Sequence, residues 1–186
     1  MFPLNTVLFP GGLLPLRIFE TRYVDLVSRC LREDSGFGVV LIEAGQESGE
    51  AARVFDVGCY AKIVDFSRQE DGLLGILAEG SQRFRVTEAR LQEDGLNLGE
   101  VEWLPEPGGV ELPAEYQPLA VAVDNAMVQA GSPYASMQRN LQDAYWVSGR
   151  LAELLPIPNV HKQHCLELDD PRERLDYLRP MFAIND

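Results

Sequence analysis

Only two of the 186 residues are lysine, Lys62 and Lys162, and neither follows the glycine that a phosphate-cradling loop requires. ATP hydrolysis at a Walker-type loop is therefore excluded. A G-x-S-x-G nucleophile elbow, an H-E-x-x-H zinc helix and a C-x-x-C pair are missing as well, which removes the commonest hydrolase and redox signatures. Cysteine is scarce. Cys30, Cys59 and Cys165 are odd in number, far apart and set in apolar stretches, so they do not read as a disulfide framework and fit a reducing cytoplasm. No apolar run approaches the roughly 20 residues that a bilayer-spanning helix needs. Met1 to Pro10 lacks both a basic n-region and a long apolar h-region, so no export signal is expected and the expected location is cytoplasmic.

Positive charge is also in short supply: 16 Lys plus Arg stand against 29 Asp plus Glu, a net charge of −13. The acidic excess is spread over the whole chain. Such a surface repels phosphate backbones, whose binding depends on Lys and Arg displacing counterions. Nucleic acid and anionic membrane are thus poor partners.

What the chain does contain is a core-forming complement of 46 % apolar residues with 24 % charged ones, inside the globular range. At this length folding buries roughly 70 % of the unfolded chain's surface. Two textures meet at Leu104-Pro105-Glu106-Pro107-Gly108-Gly109, where prolines and glycines stop any regular element. The expected division is a β-rich unit over 1–104 with one helix, and a helical subdomain over 105–186.

In the first unit, Val7-Leu8-Phe9 and Leu13 to Phe19 read as two short extended segments around the turn Pro10-Gly11-Gly12. Tyr23, Leu26, Val27, Cys30 and Leu31 fall at helical spacing, with Thr21 placed to cap that helix and Gly36 to stop it. Gly38 to Ile42 suits a strand buried on both faces. After a polar loop around Gln46 to Glu50, Val57, Cys59, Ala61 and Ile63 alternate at period two. Asp71-Gly72 and Asp94-Gly95 mark turns that separate strands Leu73 to Ala78, Arg83 to Ala89 and Leu96 to Trp103. Tight turns between successive strands imply antiparallel pairing.

In the second unit, Leu119, Val123, Ala126, Met127 and Ala130 make one helical stripe. Leu141, Tyr145, Val147, Leu151, Leu154 and Leu155 make another, stopped by Pro156 and Pro158. Asp170-Pro171-Arg172-Glu173 supplies an N-cap, a proline at N1 and an acidic N3 residue for a final helix.

Three groups of residues are candidates for chemistry or contact. His161, His164 and Cys165 lie within one helical turn or so, and imidazole with thiolate suits zinc, with Glu167, Asp169 or Asp170 as a further ligand. The alternative is an exposed histidine beside a cysteine that packs inward. Phe9, Leu13 and Leu14 flank the Pro-Gly-Gly loop, and Arg17, Glu20 and Arg22 can form a charged rim around it, the composition of a contact surface. Gln82-Arg83-Phe84-Arg85 reads as a solvated strand face.

Taken in order, these segments resemble the amino-terminal, substrate-binding domain of Lon proteases, which also occurs in cereblon and in short stand-alone bacterial proteins. The resemblance rests on Pro3-Leu4, Val7-Leu8-Phe9-Pro10-Gly11, Leu14-Pro15-Leu16-Arg17-Ile18-Phe19-Glu20 and Arg22-Tyr23. It continues through Val57-Gly58, Ala61-Lys62-Ile63, Asp71-Gly72 and Glu79-Gly80-Ser81-Gln82-Arg83-Phe84. In the helical half it runs over Leu151 to Pro156, Lys162-Gln163, Leu166-Glu167, Asp170-Pro171 and Arg174-Leu175.

The resemblance implies an α+β fold: a twisted, antiparallel-rich, partly closed barrel of the PUA-like kind, then a small helical bundle. It also implies a substrate-recognition unit without the ATPase and peptidase domains of a full Lon protease, as expected of a chain ending at Asp186. The function expected is non-catalytic binding of unfolded or exposed-apolar polypeptide, or of one protein partner, in protein quality control and with no cofactor. A metal-dependent enzyme or metal binder using His161, His164 and Cys165 is the alternative.

Overall fold

The computed structural model describes residues 1–45 and 53–184, so the polar loop expected around Gln46 to Glu50 lies outside the described residues. Two compact units divide at Leu104/Pro105.

The first unit is built on one mixed sheet: β1 (Phe2–Leu4), β2 (Leu13–Ile18), β3 (Gly36–Ala44), β4 (Arg53–Arg68), β5 (Leu74–Leu91) and β6 (Asn97–Trp103), with helix α1 (Thr21–Glu33) between β2 and β3. The order is β1-β3-β4-β5-β2, and β6 also pairs with β5. The wholly antiparallel expectation is corrected at one place. β1 lies parallel to β3, with Phe2 opposite Val39. The intervening β2 and α1 supply the long crossover that a parallel pair needs.

Two expected strands, Leu73 to Ala78 and Arg83 to Ala89, are one strand, β5. Its first half pairs with β2 (Ile18 opposite Leu74, Leu13 opposite Glu79) and its second with β6 (Phe84 opposite Trp103). On the other side it pairs with β4, where Tyr60 faces Gln82 and Ala61 faces Gly80. Ser81 is thereby an extra residue, a bulge that bends the strand where a break was expected.

Val7-Leu8-Phe9 is likewise not a strand. It is a buried loop. Phe9-Pro10-Gly11-Gly12 closes as a turn, the Gly12 N–H donating to the Phe9 carbonyl at 2.9 Å, with Pro10 in the second place and Gly11 at φ 72° in the third. Only glycine takes that third place without strain. The turn is then fastened to β5, as Gly11 N donates to Gly80 O at 2.7 Å and Gly80 N to Gly12 O at 2.9 Å.

Helix α1 begins and ends differently from the expectation. Glu20, not Thr21, stands at its N-cap, and Asp34 in the left-handed region (φ 48°) ends it before Gly36 is reached. Tyr23, Leu26, Val27 and Cys30 face the sheet, while Leu31 is exposed. Phe2 stacks on Tyr23 with ring centres 3.9 Å apart and nearly parallel, joining β1 to α1. Each such fully buried side chain contributes about 1.5–3 kcal/mol.

The second unit contains α2 (Gln117–Ala130), α3 (Ala144–Leu154), α4 (Asn159–Glu167) and α5 (Pro171–Ile184). Leu141 precedes α3, because Asp143 caps that helix by accepting from Tyr145 N at 2.8 Å and Trp146 N at 3.4 Å. Asp170 caps α5 through Arg172 N at 2.8 Å. Arg174 is buried, its guanidinium donating to Cys165 O (2.8 Å), Leu168 O (2.8 Å) and Ser148 Oγ (3.3 Å).

Candidate functional site

The six residues expected to form a contact surface do not form one patch. Phe9 is fully buried at 0 % exposure, so its expected role as a contact is corrected: the turn that follows it points the ring into the unit's interior. Along β2 side chains alternate. Leu14 packs against the apolar core, and Leu13 and Arg17 lie on the opposite face. Arg17 is 65 % exposed and ion-paired with Asp71 of the β4–β5 turn. Arg22 is only 11 % exposed: it pairs with Glu20 at 2.8 Å, donates to Gly95 O at 2.6 Å and lies 4.8 Å from the Tyr23 ring centre. It acts as a strut from the start of α1 to the β5–β6 turn.

Two residues not singled out from the sequence are the prominent ones. Phe19, just after β2, is 66 % exposed, and Phe66 of β4 is exposed as well. Alternation carries the signal for Phe19, since its neighbour Ile18 faces inward. The two phenylalanines border separate hollows that share β2. One, of about 340 Å³, runs between Pro15, Leu16 and Arg17 and Phe66. The other, of about 300 Å³, runs between Phe2 and Leu4 of β1 and Leu16, Ile18 and Phe19.

The metal reading is not supported by the geometry. His161 Nδ1 lies 2.7 Å from the Tyr177 hydroxyl, His164 meets the same ring at a tilt of 57° with ring centres 4.5 Å apart, and Cys165 is buried. Burial pushes the Cys165 thiol up to about 11. Among the described residues no group of three or more His, Cys, Asp and Glu side chains converges to hold an ion. Gln82 to Arg85 also departs from the solvated face expected, because Arg83 and Phe84 are buried. No helix among the described residues is long and apolar enough to cross a membrane.

Comparison with known proteins gives a consistent picture. The model of the ATP-dependent protease La (LON) substrate-binding domain matches residues 1–181. The crystal structure of a Lon N-terminal domain protein from Xanthomonas campestris superposes with a TM-score of 0.79 at 37 % identity, covering 96 % of this chain and 95 % of that one. Lon protease 2 of Myxococcus xanthus is 27 % identical over 177 residues, which make up 92 % of this chain and 21 % of that protein. Cereblon of Danio rerio is 36 % identical over 103 residues, 54 % of this chain and 23 % of that protein. The chain thus spans about a fifth of the length of the curated relatives it matches.

Proposed function

The chain belongs to the family of LON substrate-binding domains, and from that premise we propose that it is a recognition module that binds unfolded or exposed-apolar polypeptide, or one protein partner, without chemistry of its own. The observation that carries this reading is the placing of β2. It is an end strand of the sheet, and beside it Phe19 is exposed and Arg17 stands out into solvent. An aromatic anchor with an arginine at its rim is the make-up of a protein contact surface.

An end strand of a sheet can also accept an extended peptide through main-chain hydrogen bonds. Pro15, in the middle of β2, has no N–H to give, so side-chain contacts carry most of the affinity there. The contact set proposed is Leu13, Arg17, Phe19 and Phe66, with Leu14, Glu20 and Arg22 holding it in place. The place of action is the cytoplasm, in protein quality control, consistent with three buried cysteines that form no disulfide. The net charge of −13 argues against nucleic acid as the ligand.

Titration calorimetry tests the reading. A reduced and alkylated protein, permanently unfolded, is expected to bind saturably, and its native disulfide-bonded form is not. Incubation of the same mixture with ATP is expected to yield neither peptides nor free phosphate. Failure to bind the unfolded form, or equal binding of both forms, contradicts it.

A further inference from the structure

The pairing register lays out the outer face of strands β2, β5 and β4 row by row. Leu13 stands opposite Glu79 and Glu79 opposite Lys62; Pro15 opposite Leu77 and Leu77 opposite Asp65; Arg17 opposite Gly75 and Gly75 opposite Ser67. Residues directly opposite on neighbouring strands share a face. The residues between them on β2 and β5, Leu14, Leu16, Ile76 and Ala78, belong to the core, so these rows face outward. Asp65 owes its place to the irregularity between Ile63 and Asp65, where one extra residue shifts the alternation of β4.

The hollow of about 340 Å³ beside Arg17 lies over the second and third of these rows. Pro15 and Leu77 give it an apolar wall, and Asp65, Ser67 and Gln69 a polar one. Gly75 lets the Gln69 side chain in: a Cβ there would overlap the Gln69 amide, which donates to Ser67 Oγ at 3.0 Å. At this volume the hollow has room for one long side chain, at the low end of the range for ligand pockets.

Its charge is one-sided. Arg17 is the one cation among its lining residues, and Asp71 of the β4–β5 turn already holds it. Asp65 accepts from the Phe66 N–H at 2.9 Å and makes no ion pair with a described residue. Glu70, which borders the adjoining hollow together with Arg17 and Asp71, makes none either. A carboxylate with no counter-ion at the end of an apolar wall matches a side chain with an aliphatic stem and a cationic head.

We propose that this hollow is a specificity pocket of the polypeptide site, taking a lysine or arginine side chain of the bound segment: the stem lies along Pro15 and Leu77 and the cationic end pairs with Asp65. That polypeptide is the ligand rests on the function proposed above. The preference for a basic side chain rests on the hollow alone. The class of client selected is an apolar segment interrupted by Lys or Arg, and the net charge of −13 steers the same segments inward.

Fluorescence anisotropy tests it with short labelled peptides that share a Leu-Phe-Leu core and differ only at the next position, which is Lys, Met or Glu. Met supplies an unbranched apolar stem without the charge. Wild type is expected to bind the Lys peptide about fivefold tighter than the Met peptide, the upper end for a solvent-exposed ion pair, and the Glu peptide most weakly. High salt is expected to shrink the difference. Asp65→Asn, whose amide oxygen can still accept from the Phe66 N–H, is expected to abolish the advantage of Lys over Met. Asp65→Lys is expected to bring the Glu peptide to the top. Glu115→Gln, the same loss of charge at an exposed position of the second unit, is expected to leave the ranking unaltered.

Unchanged melting temperatures establish that the variants fold, and if Asp65→Lys does not fold, Asp65→Asn carries the test. Equal binding of the Lys, Met and Glu peptides by wild type, binding of none of them, or an unaltered ranking in a folded Asp65 variant overturns the proposal. So does an equal loss of the Lys advantage in Glu115→Gln, which assigns it to the field of the whole molecule. The unfolded protein of the calorimetric test separates the two readings. If it binds wild type while the peptides show no preference, the module binds polypeptide and the hollow is not a specificity pocket. If it fails to bind while the Lys preference holds, the pocket stands and the general reading falls.

Discussion

The carbonyl oxygen of Phe9 occupies the space that a side chain on Gly80 would need: a Cβ built on Gly80 would come within 2.3 Å of it. Two backbone hydrogen bonds lock the same contact, so the buried Phe9 loop and the bulged middle of β5 form one packed joint.

Gly80→Ala is therefore expected to be among the more damaging single-methyl changes in the first unit. Overpacking at a backbone contact typically costs about 1–3 kcal/mol. Here the opposing atom is backbone and cannot rotate away. Chemical denaturation of the variant should show a loss at or above that range, and a stability within error of wild type contradicts the joint.

Phe9 and Leu13, four residues apart, are expected to behave oppositely. Phe9→Ala removes a fully buried ring and should cost about 3–5 kcal/mol. Leu13→Ser lies on the outer face of β2 and should cost less than about 1 kcal/mol while weakening the binding of unfolded polypeptide. Leu14→Ser, on the core face, should cost about 1–3 kcal/mol. Thermal melts and calorimetry on the three variants decide it: sharp destabilisation by Leu13→Ser with binding intact in the folded fraction places the contact surface elsewhere.

Much of this architecture is legible in the residue pattern, for physical reasons that also explain the failures. The period-two run Val57, Cys59, Ala61, Ile63 and the helical spacing of Tyr23, Leu26, Val27 and Cys30 report which face is buried. Asp143 and Asp170 carry their own hydrogen-bonding logic, although only the second stands out as a cap before the structure is seen. The burial of Phe9 is not legible, because a loop has no periodicity to say which way a side chain points.

The expected strands Leu73 to Ala78 and Arg83 to Ala89 run together through Ser81 because a bulge is built from the same small and polar residues as a turn. The burial of Arg174 is illegible in the sequence, since it depends on the carbonyls of Cys165 and Leu168 that only the fold brings to it. The contacts of Trp103 with Tyr60 and Phe84 join three different strands, and no local window of sequence contains them.

Arg174 provides a test within the helical unit. Its fork satisfies two carbonyls and a hydroxyl on other segments and lies 5.0 Å from the Tyr145 ring centre. Arg174→Ala leaves buried acceptors unmet, at about 1–3 kcal/mol each. Arg174→Lys is expected to recover only part of that loss, because one ammonium cannot span the separated acceptors. Full recovery by lysine in denaturant melts contradicts the bonding pattern described.

The buried thiols make the fold sensitive to alkali. Burial raises the Cys165 thiol to about 11 from 9.0, and raises Cys30 as well. Between pH 9 and 11 the unfolded chain sheds a proton from Cys165 that the folded chain keeps, so this group's contribution to stability is full below pH 9 and declines as pH rises through that window. In the native protein at pH 8 all three cysteines are expected to resist a thiol reagent and to react after unfolding. Rapid modification of Cys165 in the folded state contradicts its burial.

Hydrogen–deuterium exchange of the full chain, with and without a saturating unfolded polypeptide, tests most directly the claim that this molecule recognises polypeptide through its β-unit. The expected result is slowed exchange over residues 13–19, along the outer strand that leads to Phe19, with the helices of the second unit unchanged. Unaltered exchange across the β-unit, or protection confined to residues 105–184, contradicts the account.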